Sequence, residues 1–382
     1  MQLLNGGPRS GLTVAQVTAL LQANVLEVSG GCYLLSPQLQ VVDDISDYFA
    51  GGTVTHDTTK TVNGACQLEL SIALEWGTVL VQPWQTLTDP VSGLSATFML
   101  GVYCLTTPLE PIGESTATYS VSGYDRLYLL NRPVGDTYSV AGGVDYLAAV
   151  RATIAAAGLS GVLIDGTASG VVLPVGMTWP LNPSSSSPST WLGIVNALLA
   201  AIGYVSLWCD ENGFFRSQPY VKPATQAPTF VFDADDTTNT IIDDRSLTQD
   251  LWGAPNKWIF VQSNPPSGTT PVEGQGVYTV VNSSDGPSSV AGQGLVWAKQ
   301  VSLNAADQTS LVIQGNAIIL ADLAATAAII TTTTGPFPVA GHLDVYSYSD
   351  QEMGADGWLV QATAWTVDVL GDDTSFTWVQ VG

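Results

Sequence analysis

Strict alternation of apolar and other residues through Gln67–Leu74 is the feature that most constrains the fold of this chain. Leu68, Leu70, Ile72 and Leu74 stand at every second position, which predicts a β-strand with one buried face. Further β-type runs lie between residues 33 and 123, and again between residues 257 and 381. We expect these two regions to form antiparallel sheets, as barrels or sandwiches.

Four other stretches have apolar residues at helical spacing instead of alternation. They are residues 13–26, 143–157, 190–202 and 304–328, and the spacing predicts amphipathic helices. The second and third are followed by the run Asp210–Gly213, which is typical of a hairpin turn. Two helices and a hairpin indicate a small α+β module, and Pro219, Pro223 and Pro228 mark a boundary after it.

The order of these patterns predicts a mainly β fold with an α+β insert. We expect two related antiparallel β-barrel domains with inserted helical modules. The predicted parts are an N-terminal helical segment (1–30), a first β-barrel (31–128), the α+β insert (129–222) and a second β-barrel (223–382). A helical insertion is expected within the last part, at about residues 303–334.

The charge balance excludes one class of function. Among 382 residues only 11% are charged, and 33 acidic against 10 basic side chains give a net charge of −23. Non-specific nucleic-acid binding depends on Lys and Arg at phosphates, so we do not expect it here. An acidic subunit can line a passage through which nucleic acid slides, because like charges repel. The alternative is that the charge serves solubility alone.

Covalent and targeting features are few. No pair of cysteines has zinc-ligand spacing, and we predict that all four are reduced core residues: Cys32, Cys66, Cys104 and Cys209. The N-terminus lacks the basic region of a signal peptide. The longest apolar stretch, 194–208, is too short for a membrane span, so we expect no stable membrane insertion. We expect the protein to assemble in the host cytoplasm.

The histidines of this sequence do not indicate a catalytic site. The chain has only two histidines, His56 and His342, and no G-x-S-x-G nucleophile motif; the run 158–161 lacks the spacing. The run His342-Leu343-Asp344 is interpreted as a loop that leads into a strand, and His56-Asp57 as a solvated turn. We therefore predict no catalytic residues.

Metal and phosphate sites are also not expected. Asp233, Asp235, Asp236 and Asn239 could hold calcium, but the glycine and glutamate of a calcium loop are missing, so a solvated turn is favoured. The run Asp243–Arg245 predicts a local, exposed ion pair worth under about 1 kcal/mol. No phosphate-binding glycine loop occurs. No metal and no cofactor are predicted.

Eleven tryptophans raise the possibility of carbohydrate binding, since aromatic faces pack on sugars. The alternative is that tryptophans within alternating strands fill cores or subunit contacts. That alternative is favoured for Trp76, Trp84, Trp258, Trp297, Trp358, Trp365 and Trp378.

Several short sequence motifs, taken in order, resemble those of a known protein family. Gly203-Tyr204 is followed by a predicted strand and then by the turn at Asp210–Phe215. Ala254–Val261 comes after the boundary that the prolines mark. Gly341–Val345 leads into the last strands, and Gly357–Val360 opens the closing hairpin. From Tyr33 onward this order resembles the hub proteins of tailed-phage tail tips and baseplates, including their relatives in contractile injection machines.

The resemblance implies two related β-barrels per subunit and a homotrimer, so that six barrels match the sixfold tail tube. It implies a virion structural protein at the tail tip that closes the tube and forms the channel for DNA exit. The implied partners are the distal tail protein ring, the tape-measure protein and other tail-tip proteins. Phage DNA would pass through the lumen without specific binding.

Two other readings compete with this one. A carbohydrate-binding receptor-recognition protein would use exposed tryptophans, and a hydrolase would need an unusual site. Many siphophage hubs continue into a peptidase or carbohydrate-binding extension; those activities are not implied for this chain.

Overall fold

Most of the chain is built from β-sheets. The computed structural model describes residues 12–74, 79–109, 118–181, 189–236, 241–249, 253–263, 270–283, 288–324 and 327–381. Strands form four sheets, and helices are few. The expected mainly β fold with an α+β insert is therefore confirmed, while the closure of the β units into barrels stays a prediction.

The first β unit opens with a capped helix. Thr13 Oγ1 accepts a hydrogen bond from the Gln16 amide at 3.3 Å, and Gln16 Oε1 accepts one from the Thr13 amide at 2.9 Å, which is a capping box. The elements are α1 (Val14–Leu21), β1 (Glu27–Leu35), β2 (Val41–Asp44), a 3₁₀ turn (Ser46–Tyr48), β3 (Phe49–Asp57), β4 (Gly64–Leu70), β5 (Leu80–Thr88), β6 (Ser95–Met99), β7 (Tyr103–Leu109) and β8 (Tyr119–Asp125).

The α+β insert has a hydrophobic core of its own, built around two packed helices. Asp145 and Thr190 cap those helices through their side-chain oxygens, which satisfies amide groups at the helix starts. Both predicted helices and the predicted hairpin are confirmed. The elements are α2 (Leu127–Leu130), β9 (Tyr138–Val140), α3 (Tyr146–Ala156), β10 (Val162–Ile164), β11 (Met177–Trp179), α4 (Trp191–Ala201), β12 (Trp208–Cys209) and β13 (Phe215–Ser217).

The remaining elements follow a short 3₁₀ turn at Pro223–Thr225. They are β14 (Phe230–Asp233), β15 (Ile241–Thr248), β16 (Lys257–Gln262), β17 (Val272–Glu273), β18 (Gly276–Val281), α5 (Val290–Gln293), β19 (Ala298–Leu303), α6 (Gln308–Ala324), β20 (Ile329–Thr334), β21 (Val345–Asp350), β22 (Ala355–Asp368) and β23 (Thr374–Gln380).

A small sheet with its own helix interrupts the second β unit. Strands β17, β18, β16 and β19 form this four-stranded sheet, and α6 packs on it, with Leu311 of the helix in one core cluster with Trp258 and Phe260 of β16. The sequence predicted strands at the positions of β16 and β18 and a helical insertion at about residues 303–334. Residues 329–334 form β20 instead, because the run Ile-Ile-Thr-Thr-Thr-Thr is β-branched throughout and fits a pleated sheet.

Both β units share one 14-stranded sheet. The connection is antiparallel pairing of β3 with β22, in which His56 lies opposite Trp365 and Val54 lies opposite Val367. This pairing satisfies backbone groups that would otherwise form two open sheet edges. The hydrophobic core is shared as well, and it extends from Val17 to Trp378.

Gly52 sits in β3 beside this connection, where a side chain has no room. Its φ is +144°, and a Cβ atom would lie 2.3 Å from the Gln67 carbonyl oxygen. Its own carbonyl accepts the Val369 amide at 2.9 Å. We expect Gly52→Ala to lower the free energy of unfolding by about 2 kcal/mol, because both backbone conformation and sheet spacing are disturbed. Urea denaturation followed by circular dichroism measures this.

Gly93→Ala is the matched control. Gly93 also has a positive φ of +74°, but apart from its chain neighbours no atom of the described residues lies within 4 Å of its Cβ position. Its replacement should therefore cost only the backbone strain, about 1 kcal/mol. Equal losses in the two variants would show that close packing at Gly52 contributes nothing.

Candidate functional site

The only two histidines of the chain form a hydrogen-bonded pair. His56 lies in β3, and His342 lies in the loop between β20 and β21; both residues are half-buried. The Nε2 atom of His56 is 3.0 Å from the Nδ1 atom of His342. One ring must donate and the other must accept, so the contact requires at least one neutral imidazole.

Two tryptophans enclose this pair. Trp365 stacks on His56 with a centroid distance of 4.3 Å, and Trp208 stacks on His342 at 4.8 Å, each with a 20° interplanar angle. Trp365 belongs to β22 of the second β unit, whereas Trp208 belongs to β12 of the α+β insert. The four rings therefore connect the first β unit, the second β unit and the insert.

Arg126 fixes the hairpin of the insert beside these rings. Its guanidinium is buried and donates to the carbonyl oxygens of Gly213 at 2.6 Å and Ser160 at 3.0 Å. It also lies over the Phe215 ring, 4.7 Å from the centroid. From the first β unit, the Gln82 side-chain amide donates to the Glu211 carbonyl at 2.9 Å. These contacts hold β12, and hence Trp208, in place.

A cavity of about 60 Å³ lies against the histidine pair. Asp125 lines it, and its carboxylate accepts the amides of Gly64 at 2.7 Å and Leu127 at 2.9 Å. Burial raises the pKa of Asp125 to about 7, although the two amide hydrogen bonds act in the opposite direction. This carboxyl therefore takes up a proton near neutral pH.

Both imidazoles are held in the neutral form. Burial lowers the pKa of His56 to about 3, with a smaller opposing effect from Asp57. Burial also lowers the pKa of His342 well below its usual value, and the neighbouring His56 adds to that effect. Desolvation disfavours the charged form of a base, so the enclosing tryptophans and the cavity wall account for the direction of both shifts.

The loop that carries His342 is conformationally strained. Leu343 has a φ of +71°, which is uncommon for a residue other than glycine. The next residue, Asp344, is buried; its carboxylate accepts the Gly341 amide at 3.1 Å. Burial raises the pKa of Asp344 to about 6. The prediction of a loop leading into a strand is confirmed for His342.

The second histidine prediction needs correction. Asp57 does lie in a polar turn, where its carboxylate accepts the Thr59 amide at 2.9 Å. His56 does not, because it faces the same side of β3 as the buried Val54 and packs against Trp365. A period of two places residues 54 and 56 on one face, and this was the signal in the sequence that the interpretation missed.

The acidic runs behave as surface elements where they are described. Asp233 accepts the Asp235 amide at 3.0 Å, and Asp235 accepts the Gln351 amide at 2.9 Å; Asn239 lies outside the described residues. Arg245 pairs with Asp350 and Glu352, which are distant in sequence; the side chains of Asp243 and Asp244 lie outside the described residues. Throughout the described part of the chain, no three His, Cys, Asp or Glu side chains form a metal-binding group.

All four cysteines are unpaired thiols, as predicted, and Cys209 alone is only partly buried. The tryptophans divide into three groups. Trp258, Trp365 and Trp378 are buried, Trp84 and Trp358 are partly buried, and Trp297 is 44% exposed; Trp76 lies outside the described residues. Five of these six described tryptophans are therefore buried or partly buried.

The junction cannot hold a substrate of ordinary size. Ligand pockets measure about 300–1,000 Å³, whereas this cavity measures about 60 Å³ and has room for only a few water molecules. What the arrangement can do is bind a proton or release one, since Asp125 and the two imidazoles all lie there. Within the described residues, no helix is both long and apolar enough to cross a membrane.

Comparison with known proteins identifies the fold. No protein-family model and no curated protein sequence matches the chain. A tail protein from Neisseria meningitidis MC58 is similar over 92% of this chain and 97% of its own, with a TM-score of 0.63 and 11% identity. The 43 kDa tail protein of prophage MuSo2 from Shewanella oneidensis is similar over 92% and 98%, with a TM-score of 0.61 and 13% identity.

A chain of the Francisella PdpA–VgrG complex is also similar. The match covers 94% of this chain and 53% of that one, with a TM-score of 0.53 and 9% identity. At these identities the likeness concerns the fold alone. The chain described here has the fold of prophage tail proteins.

Proposed function

We propose that this protein is a structural component of a phage-type tail, placed as the hub at the distal tip. The observation that carries the proposal is the likeness to two tail proteins, one of them from a prophage, along nearly the whole of all three chains. Both β units and the insert fall within that match, so it does not rest on a single common module.

We further propose that three copies close into a ring around a DNA channel. Charged residues are scarce in this chain, as they are in the cores of subunit interfaces. A ring of three copies, each with two β units, would present six units to a sixfold tube. The neighbours in the assembly would be the distal tail ring, the tape-measure protein and other tail-tip proteins.

The outer face of the joined sheet suits the wall of such a channel. Hydroxyl side chains on this face form hydrogen bonds between neighbouring strands. The hydroxyls of Ser246 and Thr331 are 2.6 Å apart, and those of Thr55 and Thr366 are 3.0 Å apart. These side chains carry no positive charge, so they offer DNA phosphates no ion pairs. The net charge of −23 would also keep DNA from adhering.

Native mass spectrometry tests the ring directly. At micromolar concentration we expect a dominant species of three times the 40.0 kDa chain mass, with little monomer. Raising the salt concentration should strengthen the trimer, because screening weakens the repulsion between acidic subunits. A species that stays monomeric at high concentration and high salt would contradict the proposal.

A carbohydrate-binding role is the second candidate, and the exposed ring of Trp297 beside the exposed Leu295 and Val296 is the observation that favours it. A glycan array discriminates the two. A hub predicts no sugar-dependent signal, whereas a receptor-binding protein predicts a signal that Trp297→Ala abolishes.

A further inference from the structure

We propose that the His56–His342 pair is a proton-operated lock: it holds the two β units and the α+β insert together while both rings are neutral, and it releases their junction when the rings are protonated. This inference does not depend on the proposed tail function. It rests on the position of the pair, on the hydrogen bond and on the enclosure by tryptophans.

The first argument is chemical. At 3.0 Å the two ring nitrogens make one hydrogen bond, with one donor and one acceptor. When both rings are protonated, both nitrogens are donors and no acceptor remains. The bond is then lost, and two positive charges face each other in a poorly solvated site. Double protonation is incompatible with the closed junction.

The second argument is positional. Each ring stacks on a tryptophan of a different unit, so separation of the rings loosens the contact between β3, the loop 335–344 and β12. The strained backbone at Leu343 adjoins His342, and relaxing it favours movement of this loop. The lock therefore acts where three parts of the molecule meet.

Several titratable groups surround the histidine pair. The other titratable groups that line the cavity are Tyr103, Asp125, Cys209, Asp210 and Glu211, while Asp57 adjoins His56 in β3 and Asp344 follows His342. Burial keeps the pKa of Tyr103 and of Cys209 well above their usual values, so both stay neutral. Asp125 takes up its own proton near pH 7, before the histidines do.

The signs of the pH effects are opposite for bases and acids. A histidine whose folded pKa lies below its unfolded value stabilises the fold fully above about pH 6.5, and this contribution is lost as the pH falls toward 3. Asp125 and Asp344, whose folded pKa values are raised, stabilise the fold as the pH falls. A comparison with a variant that lacks the histidines separates these effects.

The test variant is His56→Gln combined with His342→Asn. The amide of Gln reaches the place of Nε2 and that of Asn the place of Nδ1, so the pair keeps an uncharged hydrogen bond but cannot titrate. Urea unfolding of both proteins is measured at pH 7.5 and pH 5.0 with EDTA present. Between these pH values, the unfolding constant of the wild type should rise about 1,000-fold more than that of the variant, about 30-fold per histidine. If the changes in the unfolding constants of the two proteins agree within about threefold, the proposal is overturned.

Hydrogen exchange distinguishes a local lock from general destabilisation. After correction for intrinsic rates, lowering the pH from 7.5 to 5.0 should accelerate exchange of peptides from residues 335–344 and 208–210 more in the wild type than in the double variant, and this difference should be larger there than in α6. A uniform increase in all three would overturn the lock.

Histidine ring NMR keeps the proposal testable if the double variant fails to fold. Because the chain has only two histidines, selective labelling gives two ring signals in the wild-type protein. Both should keep their neutral shifts at pH 5.0 in the closed state. The proposal would be contradicted if both rings titrated near pH 6.5 while the junction peptides stayed protected from hydrogen exchange.

Discussion

Replacing Trp378 with alanine is expected to lower the free energy of unfolding by about 3–5 kcal/mol. Trp378 is fully buried in β23 and contacts the rings of Phe232, Phe376, Tyr346 and Tyr348. Removing the indole leaves a cavity at the centre of the aromatic cluster of the second β unit. Urea denaturation followed by circular dichroism measures the loss.

Trp378→Phe is the control for this prediction. The indole N–H of Trp378 is buried and has no hydrogen-bond partner among the described residues, so its removal relieves a desolvation cost while most of the aromatic packing stays. We expect the phenylalanine variant to lose less than half as much stability as the alanine variant. Losses below about 1 kcal/mol in both variants would show that this cluster is not the core that the structure describes.

The second large effect is expected for Arg245→Ala, which should lower the free energy of unfolding by about 3 kcal/mol. Arg245 Nε donates to the Asp350 carboxylate at 2.5 Å, and the Asp350 side chain is fully buried. Burial by itself would raise the pKa of Asp350, but the hydrogen bonds from Arg245 and Tyr348 hold that pKa below its usual value. Without the arginine, a buried carboxylate keeps its charge but loses its counter-ion.

Lys60→Ala is the matched control, since Lys60 also pairs with an aspartate, at 3.8 Å, but is 67% exposed. We expect a change below about 1 kcal/mol there. The stabilisation from Asp350 should be present above about pH 4 and should fade as the pH falls through its lowered pKa. Similar losses for the two variants in urea titrations would contradict the buried character of the Arg245–Asp350 pair.

The helices of the insert could be predicted because their signals are local. Asp145 and Thr190 stand immediately before apolar residues at helical spacing, and both act as caps. The hairpin turn at Asp210–Gly213 was predictable for the same reason, because Gly213 supplies the positive φ of +76° that the turn requires.

The joined sheet and the small inserted sheet depend on contacts that one sequence does not encode locally. The pairing of β3 with β22 links residues about three hundred positions apart, and neither strand differs in pattern from other half-buried strands. β16 and β18 were predicted as strands, but their parallel partner β19 has the short polar pattern Ala298–Leu303 that also suits a loop. Tertiary packing decided both outcomes.

The histidine pair was hidden for a related reason. Each histidine alone was predicted to be a poor catalyst, because no nucleophile or metal-ligand spacing accompanies it in the sequence. What the sequence could not indicate is that the sheet and the loop 335–344 bring the two rings within 3.0 Å, or that Trp208 and Trp365 enclose them. The alternation of Val54 and His56 was the one available hint.

Electron microscopy of tail particles that contain this protein tests the central claim most directly. With gold-labelled antibodies against the chain, we expect labels at the distal tip of the tail, and averaged images should show one ring of three copies there. Labels along the tube, on the head or on side fibres, or an averaged tip without threefold density, would contradict the account.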